Sequence, residues 1–439
     1  MRRLTKSTLV AMAITATPAG AQEAPPASIQ QQLDTQKERI RLLEALVAEQ
    51  AELLRDIRAG QAASNSPPRG SVSPHSTEDR QLASKAVSER PLASSFAPAI
   101  KISGLDLSGD LRLREEFNWS IANARNRARS VMRVRLRGTY TINPNITIGG
   151  EIATGDPDDP NSTDVTLSNF NDDLDTSLDQ AWLRFTSGGL VVTAGKFPQI
   201  FQRTDMIWDS DVMPEGIGAT YGIAFGDTHL DARAVYFVID EAAAASDSDM
   251  IGGQLVFAAP VSRALRLTLA GSYFHYRLGS VAGADTGDFR SNLISNSRYL
   301  SDFHLIEGLA TLTWTGPGPR WPISLAVDYV RNLGSAVPAD SGFNIEFAAG
   351  RTAMRGDWRI AYNYSEVGVD AVFAAFTHDN LNTATNYKLH GFSLAYSPAK
   401  DLIIDLSFYH YRPLDPLYAG LNSPADWLNR IRLNLLVNF

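Results

Sequence analysis

Residues 105–117 read LDLSGDLRLREEF and residues 131–142 read VMRVRLRGTYTI, and these two stretches decide the fold. In both, apolar and polar residues alternate, which is typical of β-strands with one apolar and one polar face. The alternate polar positions carry Arg112, Arg114, Arg133, Arg135 and Arg137. An arginine that faces lipid near mid-depth costs about 2–4 kcal/mol. If these strands cross a membrane, the five arginines must therefore point into the lumen of a barrel.

The same period continues from residue 100 to the end, in sixteen segments whose connectors alternate in length. The seven short connectors are residues 143–145, 187–189, 226–227, 259–262, 316–320, 352–355 and 397–400. The eight long connectors are residues 118–125, 155–175, 197–214, 240–249, 279–300, 333–340, 367–385 and 413–424. An even strand number with short turns at one end and long loops at the other is typical of bacterial outer-membrane barrels. The sequence predicts an all-β membrane protein, a sixteen-stranded antiparallel transmembrane β-barrel over residues 99–439.

The final segment, IRLNLLVNF at residues 431–439, supports this prediction. Ile431, Leu433, Leu435 and Val437 are apolar at every second position, and Phe439 is a terminal aromatic. This pattern resembles the C-terminal signature of outer-membrane barrels. The alternative is an ordinary edge strand.

The first residues indicate export. Met1, Arg2, Arg3 and Lys6 precede a short apolar run at residues 9–16, and Ala19-Gly20-Ala21 forms a small-x-small cleavage site. This predicts a signal peptide over residues 1–21. The apolar run is far shorter than the about 20 residues that a membrane-spanning helix needs.

A helical block and a linker are predicted to precede the barrel. Residues 28–59 fit an unbroken heptad frame. This frame predicts a periplasmic coiled coil over residues 22–59, with three helices rather than two. The a and d positions hold Leu33, Ile40, Val47, Leu54, Ile29, Gln36, Leu43, Gln50 and Ile57. Residues 60–98 are rich in Ser, Pro and Ala and predict a flexible linker. The alternative for the coiled coil is a lone amphipathic helix that lies on a partner.

The third long connector is the candidate functional loop. Residues 197–216 read FPQIFQRTDMIWDSDVMPEG and carry four acids, Asp205, Asp209, Asp211 and Glu215. The following strand presents small residues on its inward phase, which leaves room for a folded loop. We therefore expect this loop to turn inward and face the arginine ladder across a water channel, where low-dielectric walls strengthen the field. The four acids would form the acidic side of a pore constriction, and the five arginines its basic side.

The barrel is similar to the putative porin family of Gram-negative outer membranes. The resemblance rests on TDMIWDSD at residues 204–211 followed by Pro214-Glu215-Gly216, and on GEIATG at 150–155 and LDQAWLRF at 178–185. Residues 155–159, GDPDD, are more acidic than this pattern. The resemblance implies a passive pore and a homotrimer. Together with the barrel pattern, it leads us to expect a channel for small hydrophilic solutes and ions in contact with outer-membrane lipid and lipopolysaccharide.

Two other functions remain open. One is an outer-membrane anchor that tethers the cell wall through residues 22–98, although an anchor alone would need fewer strands. The other is an outer-membrane hydrolase. The seven histidines show no triad or ligand spacing, and no G-x-S-x-G motif occurs. We therefore expect no enzyme activity and no catalytic residues.

Composition narrows the remaining classes. The chain has no cysteine, which excludes disulfides and thiolate metal sites, and its net charge of -8 gives no nucleic-acid footprint. Loop 155–175 holds several acids that could bind calcium, but without the EF-hand spacing. We expect no cofactor and no metal.

Overall fold

The computed structural model describes residues 103–120, 126–167, 173–243, 245–280, 289–419 and 426–439. The predicted signal peptide, coiled coil and linker at residues 1–98 lie outside these ranges. Among the described residues, no helix is both long enough and apolar enough to cross a membrane.

The described chain is built from strands joined by turns and loops. The strands are β1 (Leu105–Ser120), β2 (Arg127–Asn143), β3 (Ile146–Thr154), β4 (Val165–Thr166), β5 (Thr176–Ser187), β6 (Leu190–Lys196), β7 (Glu215–Phe225), β8 (Thr228–Asp240), β9 (Ser248–Ser262), β10 (Leu265–Leu278), β11 (Ile294–Ser295), β12 (Arg298–Tyr299), β13 (His304–Trp314), β14 (Ile323–Asn332), β15 (Ser341–Gly350), β16 (Trp358–Val367), β17 (Tyr387–Ala399), β18 (Leu402–Pro413) and β19 (Leu428–Asn438). Two 3-10 turns lie at Ala374–Phe376 and Pro416–Tyr418.

Sixteen of these strands form one closed antiparallel barrel. Each long strand pairs with the next, and β1 pairs with β19 from Asp110–Asn438 to Ser120–Leu428, which closes the sheet. The two-residue strand β4 adds to the edge of β2, and β11 with β12 forms a separate small hairpin. The predicted sixteen-stranded antiparallel barrel is confirmed in the described part of the chain. Most connectors alternate in length as predicted, which gives the barrel a long-loop end and a short-turn end. The connectors at residues 315–322, 333–340 and 351–357 are exceptions, because they are of similar length.

The apolar face of each strand points outward, as the alternation in β1 shows. Leu113 and Phe117 are exposed, whereas Arg112, Arg114 and Glu116 are buried. A register shift of one residue would put the charged side chains on the outer surface. The sequence pattern therefore fixes which face lines the lumen.

The lumen differs between the two ends of the barrel. On β13, the inward residues Leu305, Glu307 and Leu309 near the long-loop end are buried, whereas Thr311 and Thr313 near the short turn are partly exposed. On β14, Asp328, Val330 and Asn332 are buried, whereas Ser324 and Ala326 are partly exposed. The neighbouring strand β15 differs, since its inward residues are buried along their whole length. The long-loop half is filled, and the short-turn half forms an open vestibule.

Candidate functional site: loops folded into the barrel

The five predicted arginines all lie on the inward phase of β1 and β2. Arg112, Arg114 and Arg133 are buried, and Arg137, nearest the vestibule, keeps 34% of its side chain exposed. Their positions follow from the alternation with Leu111, Leu113 and Leu136. Because buried guanidinium groups need partners, the acids around them define the chemistry of this wall.

Asp211 of the third long loop reaches the arginine ladder. Its carboxylate lies 2.9 Å from Nη1 of Arg135 and 3.7 Å from Nη1 of Arg133. The hydroxyl of Thr163 also donates to it, at 3.4 Å. The loop at residues 197–214 therefore enters the barrel, and Asp211 contacts the arginines.

Asp205 and Asp209 face a different loop, at residues 368–386. The backbone N–H of Asp209 donates to the carbonyl of Phe376 at 2.8 Å, and the N–H of His378 donates to the carbonyl of Asp205 at 3.1 Å. The Asp209 side chain is buried, and one of its oxygens accepts from the N–H of Asp211 at 2.8 Å. These two acids lie in a seam between two inward loops.

Glu215 is not brought to the other predicted acids. It is the first residue of β7 and shares the outward phase of Ile217 and Tyr221, which are both exposed. Its carboxylate pairs with Nζ of Lys196 at 2.9 Å, with 58% of the side chain exposed. The glutamate belongs to the outer rim because the alternation of β7 places it on the face opposite the inward small residues.

Four acids that the sequence analysis did not single out as partners hold most of the arginines. Asp110 contacts Arg133, Arg135 and Arg137, each at 2.9 Å. The others are Glu116, Glu151 and Asp164. Asp110 and Glu116 share the inward phase of β1, so the alternation itself could have identified them.

Three pairs of arginines, each two residues apart on one strand, hold three inward loops. Arg112 and Arg114 bind Asp164 of the second long loop, the latter at 2.9 Å. The Arg133–Arg135 pair takes Asp211 in the same way. On β19, Arg430 donates to the carbonyl of Asn380 and Arg432 to its side-chain oxygen, both at 2.9 Å. These side chains position loops rather than simply lining water.

Loop 368–386 was not predicted to be part of the site. Every residue from Val367 to Leu381 is buried, although the sequence interpretation treated this connector as one of eight external loops. Its run VDAVFAAF at residues 369–376 is mostly apolar. An apolar run of that kind is unusual in a solvated loop, and it is the signal that could have identified the loop.

An apolar core joins the two inward loops to opposite walls of the barrel. Trp208 is fully buried and packs against Phe274 and Tyr276 of β10, with ring centroids 5.8 and 6.4 Å apart. The same cluster includes Tyr409 of β18 and Leu428 of β19. The packed loops therefore bridge the lumen from β10 to β19.

Burial sets the electrostatics of the loop residues. Desolvation, and then repulsion by Asp379, raises the pKa of Asp209 well above its usual range. Desolvation also raises the pKa of Asp379, against the attraction of Arg432. Burial also acts to raise the pKa of Asp164. The charges of Arg112 and Arg114 outweigh this effect, so the pKa of Asp164 is lowered. The seam between the two loops therefore favours protonated carboxyls, and the arginine wall favours ionised ones.

The described residues contain no group of three or more His, Asp or Glu side chains arranged to hold a metal ion.

Comparison with known proteins gives the same architecture. The high-pH structure of OprB from Pseudomonas putida is 13% identical, covers 76% of this chain and 94% of its own, and superposes with a TM-score of 0.52. OmpT, an outer membrane protein of Vibrio cholerae, is also 13% identical, covers 78% of this chain and 100% of its own, and gives a TM-score of 0.48. At 13% identity, the likeness to OprB shows the fold alone. No curated protein matches the chain.

The family comparison agrees with the motifs around Trp208 and Gly150. The model of the family described as "Putative porin" matches residues 110–298, a range that includes the arginine ladder and the third long loop. The resemblance stated from the sequence is thereby confirmed. Over residues 110–298, this chain matches the putative porin family.

Proposed function

We propose that this protein is an outer-membrane porin, a channel for passive diffusion of small hydrophilic solutes and ions. The family match and the closed sixteen-stranded barrel support the proposal. A barrel of this size is too wide for its own wall side chains to fill. Fixed opposite charges in a narrowed lumen are the means by which such pores select solutes.

The observation that carries the proposal is the contact of Asp211 with Arg135, at 2.9 Å inside the barrel. It joins the third long loop to the arginine wall, which is the arrangement expected of a constriction. In the proposed constriction, the acidic side consists of Asp211 with Asp205 and Asp209 behind it, and the basic side of Arg112, Arg114, Arg133, Arg135 and Arg137. Glu215, which was expected on the acidic side, is left out because it lies on the outer phase of β7. The contacts favour Asp211 over the other acids, and Arg137, the most exposed of the five arginines, as the group that meets solutes.

Single-channel recording tests this function. Protein purified in detergent and added to planar bilayers should produce discrete conductance steps, and a salt gradient should give a reversal potential that reports ion preference. A preparation that is folded, as judged by its circular dichroism, and never conducts at any pH or voltage would contradict the porin proposal.

We further propose a homotrimer in the outer membrane, with residues 22–59 as a periplasmic coiled coil after removal of residues 1–21. The heptad pattern and the family resemblance support this assembly. Light scattering of the detergent-solubilised full chain, beside a variant that lacks residues 22–59, would test it. Loss of the trimer only in the shortened variant would assign the assembly to the coil.

A further inference from the structure

We infer that loop 368–386 is a gate, held in the lumen by Arg430 and Arg432, and that solutes pass only when this loop is displaced. The inference rests on the proposed porin function and adds to it an element that the motifs do not identify. Four observations support it: the burial of the loop, its position across the lumen, its polar anchors, and an unpartnered acid at its centre.

The loop occupies the space that a solute would need. It forms a continuous buried segment from Val367 to Leu381 in the long-loop half of the barrel. Phe376 stacks on Trp208, with centroids 5.4 Å apart, and Phe373 packs on Tyr276 at 4.9 Å. Such interdigitated rings exclude water, so this half of the lumen is packed like a protein interior.

The packing extends across the barrel. On one side it reaches Phe237 of β8 and Phe274 of β10, and on the other Tyr411 of β18 and Leu428 of β19, within a single cluster. Towards β1 and β2, the second and third long loops are held by the arginine pairs described above. A solute that enters from the vestibule therefore meets loops in each of these directions.

Polar contacts, rather than covalent or fully apolar ones, anchor the backbone of the loop. Arg290 donates to the carbonyls of Ala374, Thr377 and His378 at 3.0, 2.8 and 3.0 Å. Side chains outside the loop that also donate to its carbonyl oxygens include Asn161, Asn292, Asn332, Arg430 and Arg432. The loop carbonyls are neutral acceptors, their donors are arginine and asparagine side chains, and water or a solute can replace these hydrogen bonds one by one. The arginines act as positioning residues for the loop.

The side chain of Asp379, at the centre of the packed loop, disfavours the closed position of the loop. Asp379 is 1% exposed, and neither of its carboxylate oxygens has a hydrogen-bond partner. An unpaired ionised carboxylate in such a place is costly. The charged and titratable groups around it and around Asp209 are Arg432, Arg430, Arg114, Arg290, Asp159, Asp164, Asp205, Asp211, His378 and Tyr387.

The direction of the pH effect follows from the raised pKa of Asp379 in the packed loop. A carboxyl whose pKa is raised in one state stabilises that state at low pH and loses the effect as the pH rises through the higher value. Protonation therefore favours the closed loop, and ionisation favours its displacement. We expect channel opening to increase with pH.

An engineered disulfide tests the gate directly. The hydroxyl oxygens of Ser291, in the long connector at residues 279–300, and Thr385, in loop 368–386, lie 2.9 Å apart. The chain has no cysteine of its own. The double substitution Ser291→Cys with Thr385→Cys should lose conductance when oxidised and regain it on reduction. The two single substitutions are matched controls and should conduct under both conditions.

The outcomes separate the gate from the channel itself. If the oxidised double variant, with the bond verified by mass spectrometry, conducts like its reduced form, the gate is wrong and the porin proposal stands. If the reduced variant, the single variants and the unmodified protein all fail to conduct, the porin proposal fails and the gate fails with it.

A second variant does not depend on disulfide formation. Asp379→Asn keeps the shape of the protonated side chain and removes its charge at every pH. Its open probability at neutral pH should fall below that of the unmodified protein, with a weaker response to pH. An unchanged open probability and pH profile would count against the gate.

Discussion

The indole ring of Trp208 and the phenyl ring of Phe376 stack with centroids 5.4 Å apart and planes inclined by 11°. The two residues belong to the third and seventh long loops, 168 positions apart in the chain. The backbones of the two loops are also joined, by the hydrogen bond from Asp209 to the carbonyl of Phe376. The tryptophan at the centre of the family-like motif therefore points into a core made by loops inside the barrel.

Replacement of Trp208 by alanine should strongly destabilise the protein. Loss of a fully buried tryptophan leaves a cavity and typically costs about 3–5 kcal/mol of unfolding free energy. Denaturant unfolding in lipid vesicles, followed by tryptophan fluorescence, measures the change.

Leu333→Ala is the matched control, since Leu333 is 61% exposed in another long loop. Exposed positions usually change stability by no more than about 0.5 kcal/mol. Equal effects of the two substitutions would contradict the assignment of Trp208 to a packed core.

Asp211→Asn should shift ion selectivity toward anions. The substitution removes a negative charge from the contact with Arg133 and Arg135, so the local potential of the lumen becomes more positive. The reversal potential in a salt gradient should move in the anionic direction. Asp340→Asn serves as the control. Asp340 pairs with Arg331, which lies on the outward phase of β14, so this substitution removes a negative charge outside the lumen. A reversal potential that is unchanged in the first variant would remove Asp211 from the constriction.

Leu113→Arg should destabilise the barrel in lipid. Leu113 is exposed on the outer face of β1, and an arginine there costs about 2–4 kcal/mol near mid-depth, with less cost near the interfaces. Thr311→Arg, on the inward phase of β13 beside the vestibule, should have a much smaller effect. Comparison of the two unfolding free energies in vesicles tests the register, and a larger loss for the inward variant would be incompatible with it.

Asp164→Asn should be most destabilising at neutral pH. The pKa of Asp164 is lowered in the folded protein, so its stabilising effect is present above the unfolded pKa of about 3.9 and lost as the pH falls through the lower folded value. Removal of one partner of a buried ion pair costs about 3–5 kcal/mol. The difference in unfolding free energy between the two proteins should shrink below pH about 3.9, and a difference that stays constant with pH would argue against the ionised pair.

The fold and part of the site follow from local sequence pattern. Alternation of Leu111 and Leu113 with Arg112 and Arg114 sets the facing of β1, because lipid penalises arginine on one face only. Short turns join successive segments into antiparallel hairpins, which indicates that strands adjacent in sequence are neighbours in the barrel. Both signals need only residues close together in sequence.

The packing inside the lumen does not follow from local pattern. Phe376 and Trp208 are distant in sequence, and loop lengths alone indicate neither direction nor partner. The apolar run at residues 369–376 is visible in the sequence, but which wall it meets depends on the closed barrel. Glu215 is the reverse case, since its place in the alternation of β7, in phase with Ile217 and Tyr221, puts it on the outer rim from local sequence alone.

The pairing of β1 with β19, which closes the barrel, has a consequence for assembly. Arg432 of β19 donates to Glu116 of β1 at 2.7 Å and also to the side-chain oxygen of Asn380. Until the two strands pair, the anchor for loop 368–386 is incomplete. The lumen should therefore remain unfilled while the sheet is still open, and the seating of the loop would report that the last strand has docked.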